Sequence, residues 1–379
     1  MHAKVYYSKN KNTQAAVQEI IKKIDQENIK LVMFFVSPIY DFEYVSKEIH
    51  NKFSNCEVIG ATTAGEIYNK GFDDDGLLAI SISSKEMKVK SIMIESGNQH
   101  PILYKDQLSE AMKSVGLDPN SSNISRQGFG IGLFNGAFCL EEKLLSVIYA
   151  VIKDYDFKIV GGSAGDGLNF KSTLISHNGK AIHDGCVVTF VKTDMPFYIK
   201  KENIFTQSGK TMIATKVNVR NRVIYELNGK PASTEYARVL GVPERDLNKY
   251  FTINPLGRMI GDEIFIATPT EIGPDKSITL FAQILPNSIV DILEPTDPKA
   301  VLHETLSEVK ENVPNLKLVI AFNCLLRTLY FKEKKLTSDL TNIFNQYVPL
   351  LCGFSSYGEQ FGKFHMNETL TILALGWNE

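Results

Sequence analysis

Apolar and polar positions along the chain fall into an order that recurs three times. In the first copy the apolar run Leu31–Val36 reads as a buried strand. Phe42, Val45, Ile49 and Phe53 then recur at three- and four-residue spacing on one helical face, and a second short strand follows at Glu57–Ile59. The second copy has a strand at Gly128–Phe134, a helical face of Leu140, Leu144, Ile148 and Val151, and a strand at Lys158–Val160. The third has Leu316–Phe322, then Leu336, Leu340, Ile343 and Tyr347, then Pro349–Cys352. A further helix is predicted before each copy, over Thr13–Asp25, Leu103–Val115 and Asp297–Lys310. The last opens on Asp297-Pro298, an N-cap followed by proline in the first turn. Another strand is predicted after each copy, at Leu77–Ser83, Cys186–Val191 and Leu370–Leu375.

A glycine turn joins the last two strands of each copy. Gly60–Glu66 and Gly353–Glu359 both read G-x-[ST]-[ST]-x-G-E, and Gly161–Asp166 is a version one residue shorter that ends on Asp. Any one such turn is weak evidence, but three in the same six-part order mark an internal repeat. The stretch Met195–Glu294 reads differently. Its predicted strands are Thr211–Val217, Arg222–Leu227 before an Asn228-Gly229 turn, Glu263–Thr268, Ile278–Leu285 and Ile289–Leu293, with one helix near Ser233–Leu240. The expected fold is therefore α/β: repeated β-α-β-glycine turn-β units with parallel strands flanked by helices, plus a mostly β middle module. Residues 1–194 would hold two copies, and 195–379 the β module (195–296) and the third copy (297–379).

Strands joined through a helix are normally parallel. Ser37, Asn135 and Asn323, leaving the first strands, would then meet the glycine turns at the carboxyl edge, where open α/β sheets bind ligands. The candidate ligand-binding residues are Thr62, Thr63, Glu66, Ser163, Asp166, Asn323, Arg327, Ser355, Ser356 and Glu359. Arg327 can hold a carboxylate with two parallel bonds. With Glu359 facing an ammonium, the third copy suits a zwitterion. The plainer reading is that hydroxyls and carboxylates beside glycines bond turn amides and serve folding. Neither reading excludes the other.

Composition narrows the function classes. Of 379 residues, 44% are hydrophobic and 22% charged, ordinary for a globular chain. The 41 Lys and Arg nearly balance 43 Asp and Glu, so the basic stripe of a nucleic-acid binder is missing. Five scattered cysteines without a CxxC pair argue against a disulfide framework or structural zinc. The first residues lack a signal-peptide pattern and no apolar run is long enough to span a membrane, so a cytoplasmic location is expected.

Catalytic motifs fail on context. Ser208-Gly-Lys-Thr211 has Ile204 where a phosphate loop needs glycine, and a strand pattern follows it. The glycines of Gly128–Gly132 lie inside a strand, unlike a dinucleotide fingerprint. Gly161–Gly165 matches G-x-S-x-G, yet Asp166–Phe170 is a poor helix start for a nucleophile elbow at Ser163. Seven histidines include no HExxH or paired helical ligands, so no metal site is expected, while a lone axial haem ligand is left open. No catalytic residue is assigned.

Val58–Ile67, Ile159–Gly167, Asn228–Pro231, Asn323–Arg327 and Gly353–Glu359 together resemble the FIST family, with its N-terminal and C-terminal FIST domains, from about Leu31 to Leu375. Gln360 departs from the apolar residue expected after the final Gly-Glu, which Ile67 keeps. The resemblance implies a small-ligand sensory module of intracellular signal transduction, with amino acids as proposed ligands. It also implies a separate signalling partner such as a histidine kinase, since no output domain is evident. Haem binding with nitric oxide sensing is a variant within the family. An enzyme built on Ser163 is the competing class.

Overall fold

The structure is a computed structural model and describes residues 2–377. The chain divides into two compact units: one of residues 2–201, 302–364 and 370–377, the other of 202–301 and 365–369.

The first unit is α/β and contains three six-stranded mixed sheets. The first sheet runs His2–Ser8, Leu77–Ser83, Ile29–Val36, Glu57–Thr62, Ile175–His177 and Lys180–Ile182. The second has Met87–Glu95, Gly185–Thr193, Gly128–Phe134, Ile159–Ser163, then Glu359–Phe361 and the strand after it. The third has Phe197–Asn203, Thr369–Gly376, Leu316–Cys324, Leu350–Ser356, Glu66–Tyr68 and Gly71–Asp73. The three orders correspond strand for strand. Each has one parallel pair at its centre, ending at Val36 opposite Thr62, Phe134 opposite Ser163 and Cys324 opposite Ser356. In each, the short strands beyond that pair come from a different copy, a feature the sequence pattern did not predict.

Period-two alternation explains the layers. Leu31, Met33 and Phe35 join a core shared with Phe129, Ile131 and Leu133 of the second sheet and Leu318, Ile320 and Phe322 of the third. Val32, Phe34 and Val36 point the other way, onto Ala16, Val17 and Ile20 of helix Thr13–Ile24 and Val45 and Ile49 of helix Phe42–Lys52. The Asn12 and Asp41 side chains cap these two helices by accepting from the amides of Ala15 and Tyr44. The second sheet's outer face likewise covers Leu108, Met112, Leu144 and Ile148.

The first glycine of each motif is set by close approach across the parallel pair. A Cβ on Gly353 would lie 1.9 Å from the Ala321 carbonyl oxygen, and one on Gly161 2.0 Å from that of Gly132. On Gly60 it would strike the Phe34 ring at 2.3 Å.

The second unit carries an antiparallel sheet built on Phe205–Asn218, Val223–Leu227 and Ser288–Pro295, with helix Ala232–Leu240 placing Ala232, Tyr236 and Ala237 in its core. Strands Leu256–Ile260 and Pro269–Ile272 were not predicted, and the strand expected over Ile278–Leu285 ends at Leu280. Ser208–Thr211 lies within strand Phe205–Asn218, and the element that follows is a strand rather than the helix a phosphate loop leads into.

Candidate functional site

The glycine turns sit at the carboxyl ends of the three parallel pairs, and their polar side chains are buried. In turn one the Thr63 hydroxyl donates to Glu66 Oε1 at 2.6 Å, and the Gly76 amide donates to Oε2 at 3.1 Å. Thr62 Oγ1 faces the other way and accepts from the Leu174 amide at 3.0 Å. Burial holds the Glu66 carboxyl well above the usual range. The Thr63 hydroxyl and Gly76 amide oppose that shift without cancelling it, and Asp73 and Asp74 add to it.

Turn three repeats the first arrangement. The Ser356 hydroxyl donates to Glu359 Oε1 at 2.6 Å, at the same i, i+3 spacing as Thr63 and Glu66. Ser355 Oγ pairs with Thr328 Oγ1 at 2.8 Å, and Asn323 Nδ2 donates to that same Thr328 oxygen at 2.8 Å.

Turn two differs. Ser163 donates to Glu141 Oε1 at 2.9 Å and accepts from Gln360 Nε2 at 3.0 Å, all three residues being buried. The Asp166 carboxylate accepts from the backbone amides of Phe170, Lys171 and Ser172, each at 2.8 Å, and from the Tyr357 hydroxyl. Burial opposes its ionisation. The Ser172 amide, the Tyr357 hydroxyl and the remaining amides outweigh that effect and leave its pKa below the usual value. With four donors engaged, Asp166 anchors the loop that follows it, where Phe170 at φ 52° stacks on the Tyr357 ring at 4.4 Å.

Arg327 does not leave the strand on a loop. It lies in helix Leu325–Glu333, is 2% exposed, and its guanidinium sits 5.3 Å from the centroid of the Phe331 ring. Arg327 and Asn323 are the polar members of a small cavity that Phe72, Ala321, Phe331 and Phe344 help to line. Its free volume, about 10 Å³, is room for roughly one water. Ser355, Ser356 and Glu359 are not among its walls, but Asn323 lies opposite Ser355 in the parallel pair, and the Ser356 hydroxyl donates to the Asn323 carbonyl at 3.3 Å.

Sequence reasoning missed Glu141, Thr328 and Tyr357. Gln360 carried a signal, because its polarity broke the apolar pattern, and its amide reaches Ser163 of another copy. Among the described residues no group of three His, Cys, Asp or Glu side chains is arranged to hold a metal, and no helix is long and apolar enough to cross a membrane.

The sequence profile of the FIST N domain matches residues 30–230, and that of the FIST C domain matches 232–362. The chain belongs to the FIST family, whose domains have sensory roles in signal transduction. It is also similar to an uncharacterized protein of Methanocaldococcus jannaschii, 23% identical over 352 residues, covering 83% of this chain and 67% of that one.

Proposed function

We propose that this chain is a cytoplasmic sensor of a small polar metabolite, an amino acid or a close analogue, which passes its signal to a separate partner such as a histidine kinase. The observation that carries the reading is the buried Arg327 at the wall of a chamber otherwise lined by Asn323 and apolar side chains. A guanidinium presents a planar fork that can hold a carboxylate with two parallel bonds. Arg327 holds the ligand carboxylate, Asn323 contacts it beside that group, and the turn residues Thr62, Thr63, Glu66, Ser163, Asp166, Ser355, Ser356 and Glu359 shape the surrounding edge. Because the free space takes about one water, the ligand is admitted by outward movement of helix Leu325–Glu333.

Calorimetry against an amino-acid panel, on wild type and Arg327→Met, tests this. The methionine keeps the apolar stem and removes the charge. Truncating one partner of a desolvated charge pair costs about 2–5 kcal/mol, so affinity should fall roughly thirtyfold or more. A ligand bound equally by both proteins moves the site elsewhere.

A further inference from the structure

The glycine turns are bonded to one another in a closed ring. Turn one meets turn three through Ala64 N–H to Ser355 O at 3.0 Å and Ser355 N–H to Gly65 O at 2.7 Å. Turn three meets turn two through Ser163 N–H to Gly358 O at 2.8 Å and Tyr357 N–H to Ser163 O at 3.0 Å. Turn two returns to turn one through Gly165 N–H to Thr62 O at 3.0 Å and Gly167 N–H to Thr63 O at 3.1 Å. Each junction thus has two backbone bonds.

Strand exchange runs in the same rotational sense. Glu66–Tyr68, leaving turn one, pairs with Leu350–Ser356 of copy three. Glu359–Phe361, leaving turn three, pairs with Ile159–Ser163 of copy two. Ile175–His177, following turn two, pairs with Glu57–Thr62 of copy one. The contacts leave no slack. A Cβ on Gly165 would lie 2.9 Å from the Ala64 nitrogen, and one on Gly162 3.0 Å from both Phe354 and Ser356. A turn in such a ring is held from both sides, so releasing it breaks bonds at two junctions and unseats both neighbours. Tightly packed elements of this kind switch between discrete arrangements rather than deforming gradually.

We propose that the three turns form one conformational switch, which opens and closes as a unit and carries a change at any copy to the other two. Copy three supplies an entry to it. Asn323 bonds Thr328, Thr328 bonds Ser355, and the Ser355 backbone bonds turn one on both its N–H and its C=O. A displacement of helix Leu325–Glu333 therefore pulls on a ring member directly. Ring cooperativity stands independently of which ligand, if any, occupies the Arg327 chamber.

Native-state hydrogen exchange on the full chain tests this, with peptides covering 60–67, 161–168 and 353–360. Gly165→Ala strains the junction between turns one and two, where the added methyl meets Thr63 and the Ala64 nitrogen, itself a donor to turn three. The expected result is a loss of protection of about tenfold in all three peptides, the 353–360 peptide included. Faster exchange confined to 60–67 and 161–168 overturns the proposal, as does an unchanged rate throughout. Should Gly165→Ala fail to fold, Tyr357→Phe provides the same reading from the junction between turns two and three. It removes only the hydroxyl that holds Asp166 and Gly167 O, and the remote peptide is then 60–67.

Discussion

Replacing Asp166 with Asn keeps the side chain's size and removes half of its accepting capacity. One oxygen takes the amides of Lys171 and Ser172, the other that of Phe170 and the Tyr357 hydroxyl. Whichever way the new amide turns, its NH₂ faces two donors. A buried donor left unsatisfied costs about 1–3 kcal/mol. Phe170, Lys171 and Ser172 are exposed, so water recovers part of that loss, and a net destabilisation of about 1–3 kcal/mol is expected. Urea unfolding at pH 7 should show a lower midpoint with an unchanged slope. Trypsin should cut after Lys171 faster in the variant, because the carboxylate is what holds the loop. The acid limb gives a second check. Since the Asp166 pKa is lowered by folding, its contribution is present above the unfolded value near 3.9 and disappears as pH falls toward the folded one. Wild type and variant should therefore converge in acid. Equal midpoints at pH 7 together with equal cleavage would refute the assigned role.

Three further outcomes are expected. Glu66 has the opposite sign: its raised pKa favours the neutral carboxyl, so its contribution is full below the unfolded value near 4.3 and is lost as pH rises through the folded one. Glu66→Gln should flatten the decline in melting temperature that sets in as pH rises above the unfolded value, and an unchanged slope counts against a neutral carboxyl. Gly353→Ala drives a methyl against the Ala321 carbonyl and should cost about 3 kcal/mol in urea unfolding, whereas a cost under about 1 kcal/mol means that the strands can separate freely. Ser163, fully buried, should resist a fluorophosphonate probe, and stoichiometric labelling lost in Ser163→Ala would move the protein toward the hydrolases.

The strands of each central parallel pair were readable because Leu31–Val36, Gly128–Phe134 and, after the exposed Lys317, Leu318–Phe322 are continuous apolar runs, as strands buried on both faces must be. The pairing of short strands between copies was not. Glu66–Tyr68 and Gly71–Asp73 are three residues each, too short for a period to register, and their partner lies about 280 residues away. Asn323 and Arg327 were read as leaving the first strand together, but Leu325–Glu333 was not recognised as a helix because Asn-Cys-Leu-Leu-Arg carries no cap signal. The hydroxyl–carboxylate spacing of Thr63 with Glu66 and Ser356 with Glu359 was visible in the motif. That the two groups would bond each other was not, since spacing fixes proximity and leaves the partner open.

The exchange of short strands between copies also sets a schedule for synthesis. The first sheet can close soon after residue 182 has been made, because its outer strands follow closely in the chain. Strand Ile159–Ser163 must wait about 200 residues for Glu359–Phe361, and the hairpin Glu66–Asp73 waits longer still for Leu350–Ser356. At roughly 5–20 residues per second, the second sheet keeps a bare edge for about 10–40 s on the ribosome. An open edge is a template for pairing with another chain. A nascent chain stalled before Leu350 would carry two such liabilities at once, and the dozen residues from Leu350 to Phe361 remove both.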